Sequence, residues 1–235
     1  MTKYGKCAMK GVLVPTYNEA ENLKELIPRI KENVSDAKII IVDDNSPDKT
    51  AEIAESLGAI VFVRKNERGL GSALRFGLLK GIELGFEYIA TMDADLSHDP
   101  VYLPKMFEAA KNADLVIGSR YIEGGRIENW PLKRRIISKG ANILARSLLH
   151  LKVKDSTSGY RVYSRNAIEL IKNCENADGY EFQICAVYRI EKAGLKIIEV
   201  PITFRDRSKG KSKLGSEKIL DWFIYVLKLS LGLSS

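Results

Sequence analysis

The sequence has no long hydrophobic run and few cysteines, and each shortage narrows what the chain can be. No uninterrupted stretch of 18–20 apolar residues occurs in the 235 residues, so no membrane-spanning helix is predicted. The three cysteines are an odd number without metal-ligand spacing. They indicate neither a disulfide framework nor a zinc site, and they favour a reducing compartment. The first ten residues lack the apolar segment of a secretory signal.

The glycine loops that usually hold nucleotide phosphates are also absent. Gly69 and Gly71 begin like a dinucleotide fingerprint, but Leu74 stands where the third glycine belongs and a charged loop, not a strand, comes before. No Walker-type phosphate loop occurs anywhere. If the chain binds a nucleotide, other groups must hold the diphosphate.

The composition, 45% hydrophobic and 29% charged, is typical of a soluble globular domain. The net charge of +7 is unevenly distributed. Residues 1–110 carry 14 basic and 17 acidic side chains, whereas residues 111–235 carry 23 basic and 13 acidic ones. The basic half favours an anionic partner, which could be nucleic acid, a phosphorylated ligand or a membrane surface. Composition does not choose among them.

Short apolar runs alternate with amphipathic stretches along the chain. The runs at residues 11–15, 38–43, 59–63, 88–92 and 115–117 predict strands. Helices are predicted between them, with Asn18 as one N-cap and Ser46 followed by Pro47 as another. The pattern predicts an α/β fold, with a mostly parallel Rossmann-like sheet and helices on both faces.

Acidic residues follow three of these predicted strands, at residues 15–19, 43–46 and 93–95. Ligands of open parallel sheets lie outside the carboxyl ends of the strands. Asp93 and Asp95 are the clearest pair, because residues i and i+2 of an extended segment point the same way. Two carboxylates with substrate phosphates suit Mg²⁺ or Mn²⁺, which could take the place of a phosphate loop.

The same segments carry a resemblance to a known family. PTYNE at 15–19, VDDNS at 42–46, DADLSH at 93–98 and GSRY at 118–121 occur in that order. They resemble the inverting glycosyltransferases of family 2, which have the GT-A fold. Residues 132–142, 155–161 and 207–214 resemble the members that transfer mannose from GDP-mannose to dolichyl phosphate. The resemblance implies a product, dolichyl β-D-mannosyl phosphate, that serves protein glycosylation.

The resemblance also implies site residues. Those expected at the nucleotide sugar are Pro15, Tyr17, Glu19, Val42, Asp44, Asp93, Ala94, Asp95, Arg120, Arg207 and Lys213. Asp93 and Asp95 are the expected ligands of Mg²⁺ or Mn²⁺. Those expected to be catalytic are Asp95, Arg120, Arg134 and Ser138.

Arg134 and Ser138 lie four residues apart near the start of a predicted helix. The amide groups at a helix N-terminus attract anions, so this position favours binding of an acceptor phosphate. From its residues alone, this segment favours a basic helical turn exposed to water, and it is the resemblance that favours an acceptor site. A phosphate acceptor is already ionised at neutral pH and needs no general base. This agrees with the absence of an adjacent Glu-Asp pair in residues 178–181.

The resemblance implies a catalytic domain at residues 1–214 and an amphipathic C-terminal helix at residues 215–235. That helix could lie at a membrane interface or pack against the domain. The expected partners are GDP-mannose, dolichyl phosphate in the bilayer and a small membrane-anchoring subunit, with no nucleic acid. The expected location is peripheral, on the cytoplasmic side of a membrane. Transfer from UDP-glucose or UDP-N-acetylglucosamine stays open as an alternative.

Overall fold

A seven-stranded sheet forms the centre of the protein. The structure is a computed structural model that describes residues 8–206 and 216–233. The strands of this sheet, in chain order, are β1 (Lys10–Thr16), β2 (Ala37–Asp43), β3 (Ile60–Val63), β4 (Tyr88–Thr91), β5 (Leu115–Ser119), β7 (Arg161–Ser164) and β8 (Ile197–Pro201). Their spatial order is β3-β2-β1-β4-β7-β5-β8, and β7 is antiparallel to both of its neighbours. The predicted mostly parallel sheet is confirmed.

Two further short strands, β6 (Arg126–Glu128) and β9 (Thr203–Arg205), pair in parallel with each other. The helices are α1 (Ala20–Asn33), α2 (Thr50–Ser56), α3 (Leu70–Glu83), α4 (Leu103–Ala110), α5 (Leu132–Leu149), α6 (Arg165–Ile171), α7 (Glu181–Lys192) and α8 (Ser216–Ser230).

The central strands are apolar on both faces because helices cover the sheet on both sides. Val12 and Val14 of β1 belong to a core cluster with α1 and α4, whereas Leu13 belongs to the opposite cluster with α3, α6 and α7. Neighbouring side chains of a strand point to opposite faces, so one apolar strand supplies both clusters. The predicted helices on both faces are confirmed.

Two predicted helix starts are wrong, and tertiary contacts explain both. Asn18 is not an N-cap: α1 begins at Ala20, and the Asn18 amide donates to the Ser46 hydroxyl at 2.9 Å. Ser46 is not an N-cap either, because its amide and hydroxyl donate to the Asp43 carboxylate at 2.7 and 2.6 Å. The helix α2 begins only at Thr50. The loops after β1 and β2 therefore stabilise each other, and Asp48 rather than Asn18 or Ser46 accepts from the first amides of α1 and α2.

The C-terminal helix α8 packs against the main core. Trp222, Tyr225, Val226 and Leu229 are buried in the cluster that also contains α3 and α7 residues. Cys174, after α6, and Cys185, on α7, form a disulfide. The odd cysteine count did not indicate this bond, so the expectation that the cysteines form no disulfide is wrong.

Candidate active site

The carboxyl ends of β1, β2 and β4 border a first cavity of about 410 Å³. The strand order reverses between β1 and β4, which is where open α/β sheets bind ligands. The first cavity is also lined by the start of α3, the residues before α7 and the first turn of α8. Its lining residues are Pro15, Thr16, Tyr17, Glu19, Asp44, Arg68, Gly69, Leu70, Ala73, Asp93, Ala94, Asp95, Gly179, Tyr180 and Lys218.

The acidic residues after β2 are compensated inside the protein. The buried Asp43 accepts hydrogen bonds from the Thr16 and Ser46 hydroxyls at 2.8 and 2.6 Å. Asp44 accepts from Arg64, through Nε at 2.8 Å and Nη2 at 2.6 Å, and from the Gly69 amide at 3.0 Å. Arg64, directly after β3, is the cation that compensates Asp44. Asp43 therefore supports the loop, and Asp44 alone of this pair reaches the cavity.

The segment after β4 is held by its own side chains. Asp95 Oδ1 accepts from the Ser97 amide at 3.1 Å and from its hydroxyl at 2.5 Å. The Asp93 amide donates to Nδ1 of His98 at 3.0 Å. His98 is buried and stacks on the Tyr160 ring, with centroids 4.9 Å apart. Burial lowers the pKa of His98 and so favours the neutral ring, which can accept this bond. His98 therefore closes this turn through Nδ1.

A second cavity of about 640 Å³ adjoins the first, and Asp93, Asp95, Tyr180 and Lys218 line both. Its walls come from the segments that follow β4 and β5, the first half of α5, the strand β9 and the start of α8. The remaining lining residues are Ser97, His98, Arg120, Trp130, Pro131, Lys133, Arg134, Ile137, Ser138, Ala141, Thr157, Gly159, Phe204, Asp206, Ile219 and Trp222. The second cavity is therefore lined by cationic side chains, by aromatic rings and by apolar side chains of α5.

Arg120 is fixed at one wall of the second cavity by the fully buried Asp155. The Asp155 carboxylate accepts from the Arg120 amide at 2.9 Å, from Nε at 2.8 Å and from Nη2 at 2.7 Å. Burial alone would raise the pKa of Asp155, but the charge and hydrogen bonds of Arg120 outweigh it and lower that pKa. Burial would likewise lower the pKa of Arg120, and Asp155 raises it. The pair is therefore charged, and the guanidinium is held over the rings of Trp130 and Phe204.

Arg134 and Ser138 lie on the same wall, one turn of α5 apart. Arg134 contacts Asp206, with Nη1 to Oδ1 at 2.9 Å, and its guanidinium lies 4.1 Å from the centroid of the Trp130 ring. The Tyr121 hydroxyl donates to Ser138 Oγ at 2.8 Å. Arg120, Arg134 and Ser138 thus line the same cavity as Asp93 and Asp95.

The side chain of Val42 does not join them, and two further predicted site residues are not described by the structure. Val42 is fully buried, and its side chain packs in the core beside α3. Arg207 and Lys213 lie outside the described residues. Sequence reasoning missed Arg64, Arg68, Asp155, Tyr180 and Lys218. The sequence signal for Asp155 is the resemblance at residues 155–161, which by itself implies no role for this residue.

The outer faces of α5 and α8 expose a row of large apolar side chains beside the second cavity. The two helices pack against each other. On α5 the row begins with Leu132, which is 71% exposed, and on α8 with Leu220, which is 58% exposed. The other exposed members are Ile136 and Ile143 on α5 and Phe223, Ile224 and Leu227 on α8. Within the described parts of the chain, no helix is long and apolar enough to cross a membrane.

Comparison with known proteins shows which family the chain is similar to. The family model described as glycosyl transferase family 2 matches residues 11–171. The undecaprenyl-phosphate mannosyltransferase of Micrococcus luteus is 39% identical over 208 residues, 86% of each chain. The polyprenol monophosphomannose synthase of Mycolicibacterium smegmatis is 40% identical over 216 residues, 88% of this chain and 82% of that one. The dolichol-phosphate mannosyltransferase of Pyrococcus furiosus is 38% identical over 93% of this chain, which spans 62% of that relative.

A solved structure shows the fold. Glucosyl-3-phosphoglycerate synthase from Mycobacterium tuberculosis, in complex with Mn²⁺, UDP and glucosyl-3-phosphoglycerate, matches with a TM-score of 0.71. The match covers 97% of this chain and 81% of that one at 21% identity. The predicted GT-A architecture is therefore confirmed.

Proposed function

The chain belongs to glycosyl transferase family 2, and from that premise we propose that it transfers mannose from GDP-mannose to a polyprenyl phosphate such as dolichyl phosphate. The observation that carries the proposal is the pair of adjoining cavities that share Asp93 and Asp95. One cavity borders the strand ends, and the other combines cations with apolar walls. Mannosyltransferases that act on undecaprenyl phosphate, polyprenol or dolichol phosphate are the relatives named above, which supports the choice of sugar and acceptor.

The first cavity would hold the nucleotide sugar. Its aromatic wall is Tyr17, whose ring lies 4.5 Å from the Arg68 guanidinium and can stack on a base. Glu19 and Asp44 would accept hydrogen bonds from base or ribose, and Pro15 and Ala94 would shape the floor. A contact from Val42 would have to come from its backbone. Arg207 and Lys213 remain proposed ligands of the diphosphate.

Asp93 and Asp95 would hold a divalent cation, Mg²⁺ or Mn²⁺. The described residues contain no group of three or more acidic, His or Cys side chains that could hold a metal by itself. A site made of two carboxylates completed by substrate phosphates and water is the arrangement that Mg²⁺ usually takes. The donor set at the shared edge of the two cavities therefore fits such an ion. When bound, it would neutralise the charge that develops on the departing diphosphate.

The second cavity would hold the phosphate of the acceptor. Arg120, Arg134 and Ser138 would donate hydrogen bonds that orient it beside the sugar. A phosphate oxygen would form the new bond to the anomeric carbon as the bond to the GDP oxygen breaks, with inversion of configuration. Because the attacking phosphate is already ionised, no side chain needs to remove a proton. Within the described chain neither Asp178 nor Glu181 lines either cavity, which supports a mechanism without a general base.

The exposed apolar row on α5 and α8 would lie on the membrane that carries the polyprenyl chain. Such a row beside the acceptor cavity lets the lipid enter while its tail stays in the bilayer. The net basic charge of residues 111–235 would favour an anionic leaflet. We place the protein on the cytoplasmic side as a peripheral enzyme, with residues 215–235 as its interfacial helix. A small membrane subunit would be an additional anchor, and the product would serve protein glycosylation.

Incubation with radiolabelled GDP-mannose, dolichyl phosphate and Mg²⁺ or Mn²⁺ tests the proposal. We expect a chloroform-soluble mannolipid that is not formed after chelation of the metal. Asp95→Ala should abolish its formation while the far-ultraviolet circular dichroism stays unchanged, because Asp95 lies at a strand end and not in the core. Product formation from UDP-glucose or UDP-N-acetylglucosamine instead would assign the alternative donor. No glycolipid from any of the three donors would refute the proposed reaction.

A further inference from the structure

The arginines of the second cavity bring little net charge to it. Arg120 is neutralised by Asp155, with 2.7 Å between Nη2 and Oδ1. Arg134 is paired with Asp206 at 2.9 Å. Both guanidinium groups can orient an anion through their remaining N–H groups, but each charge already has a carboxylate beside it. A phosphate monoester carries nearly two negative charges at neutral pH and needs positive charge that is not already compensated.

Two lysines of this cavity have no ion pair within residues 8–206 and 216–233. Lys133 lies in the first turn of α5 and Lys218 in the first turn of α8, and both line the second cavity. The amide groups at a helix N-terminus attract anions, and here two such termini border one cavity. Lys218 also lines the first cavity, where its Nζ lies 5.5 Å from the centroid of the Tyr180 ring.

We propose that Lys133 and Lys218 are phosphate-binding residues that supply the uncompensated positive charge of the second cavity. Lys133 would bind only the acceptor phosphate and not the diphosphate of the nucleotide sugar. Lys218, which borders both cavities, would contact both the acceptor phosphate and the diphosphate of the nucleotide sugar. This inference rests on the proposed function, and it assigns to the lysines the charge that the paired arginines do not provide. Arg120 and Arg134 keep the separate task of orienting the phosphate.

Intrinsic fluorescence offers a direct binding assay for this site. The chain has two tryptophans, Trp130 and Trp222, and both line the second cavity. We would titrate the protein with citronellyl phosphate, a short water-soluble prenyl phosphate, so that membrane binding does not enter. A parallel titration with GDP and Mg²⁺, by calorimetry, measures the first cavity. The variants are Lys133→Met and Lys218→Met, with Lys139→Met and Lys228→Met as controls on the same two helices but outside both cavities.

Lys133→Met should weaken citronellyl phosphate binding about 10- to 100-fold and leave GDP binding unchanged, as expected for the loss of one charge-assisted contact. Lys218→Met should weaken both. Lys133→Arg and Lys218→Arg, which keep the charge, should recover most of the binding. The inference is refuted if the Met variants bind both ligands like the controls. If the unaltered protein binds citronellyl phosphate but makes no mannolipid, the proposed donor fails while the lysine assignment is still decided by these titrations. If it binds no prenyl phosphate, the acceptor class and this inference both fail.

Discussion

Replacing Asp155 should cost the protein both stability and activity, because one buried carboxylate holds the Arg120 guanidinium. Asp155 is fully buried and Arg120 is 8% exposed, and three hydrogen bonds of 2.7–2.9 Å join them. Removing one partner of such a pair leaves an uncompensated buried charge, which costs about 3–5 kcal/mol. At about 2–4 °C per kcal/mol for a domain of this size, Asp155→Asn should lower the melting temperature by about 6–20 °C.

A double-mutant cycle separates the pair from the packing around it. Urea unfolding, followed by circular dichroism, would compare Asp155→Leu, Arg120→Met and the double variant. The double variant should be destabilised by less than the sum of the two single variants, because it removes both charges together. A coupling of at least about 2 kcal/mol is expected from the hydrogen-bond geometry.

Activity measurements test whether Asp155 positions Arg120 for the reaction. Asp155→Asn should lose turnover with the polyprenyl phosphate while GDP binding, measured by calorimetry, stays within about twofold of the unaltered protein, a difference of roughly 0.4 kcal/mol. The reasoning about a coupled buried pair is wrong if Asp155→Asn lowers the free energy of unfolding by less than about 1 kcal/mol. It is also wrong if the destabilisations of the two single variants add up to that of the double variant.

Three further predictions concern acid, a crowded glycine and the apolar row. Because Arg120 holds the pKa of Asp155 below its unfolded value, the pair's stabilisation is complete above about pH 4 and is lost as the pH falls through the folded-state pKa. Urea unfolding should therefore show that the difference in free energy of unfolding between the unaltered protein and Asp155→Asn becomes smaller in acid. A difference that does not change with pH would contradict this. Gly71→Ala should destabilise by about 1–3 kcal/mol and weaken GDP binding, because its Cβ would lie 2.2 Å from the Ala177 carbonyl oxygen. Gly140→Ala, which meets nothing within 4 Å, is the matched control for the unfolding and calorimetric measurements, and equal effects of the two would refute the steric argument. Phe223→Ser with Ile224→Ser should reduce co-sedimentation with anionic vesicles several-fold while leaving the melting temperature within about 2 °C, roughly the shift of a surface substitution. Unchanged sedimentation would exclude the α8 face from membrane binding.

Several features of the site follow from local sequence alone. Short apolar runs predict the strands, because a strand covered on both faces must be apolar at successive positions. The polar residues that follow β1, β2 and β4 were therefore expected at one edge of the sheet, and the structure places them there. The pair Asp93 and Asp95 was predictable for the same reason, since its spacing is a property of the extended backbone.

The tertiary structure decided which of these residues face the cavities and which charges are compensated. Asp43 and Asp44 are neighbours in sequence, yet Thr16 and Ser46 engage one and Arg64 the other. The insertion of the antiparallel β7 between β4 and β5 brings Asp155 to Arg120 across 35 residues. Local spacing cannot encode such pairs, because the chain path between their members depends on how the sheet is assembled.

The basic half of the chain illustrates the same division. Its excess of positive charge was evident from composition, but composition treats every arginine and lysine alike. Folding pairs Arg120 and Arg134 with carboxylates and leaves Lys133 and Lys218 without an ion pair in the described chain. The sequence by itself determined that the basic half favours an anionic partner. Burial and ion pairing in three dimensions decided which basic side chains remain uncompensated and can bind it.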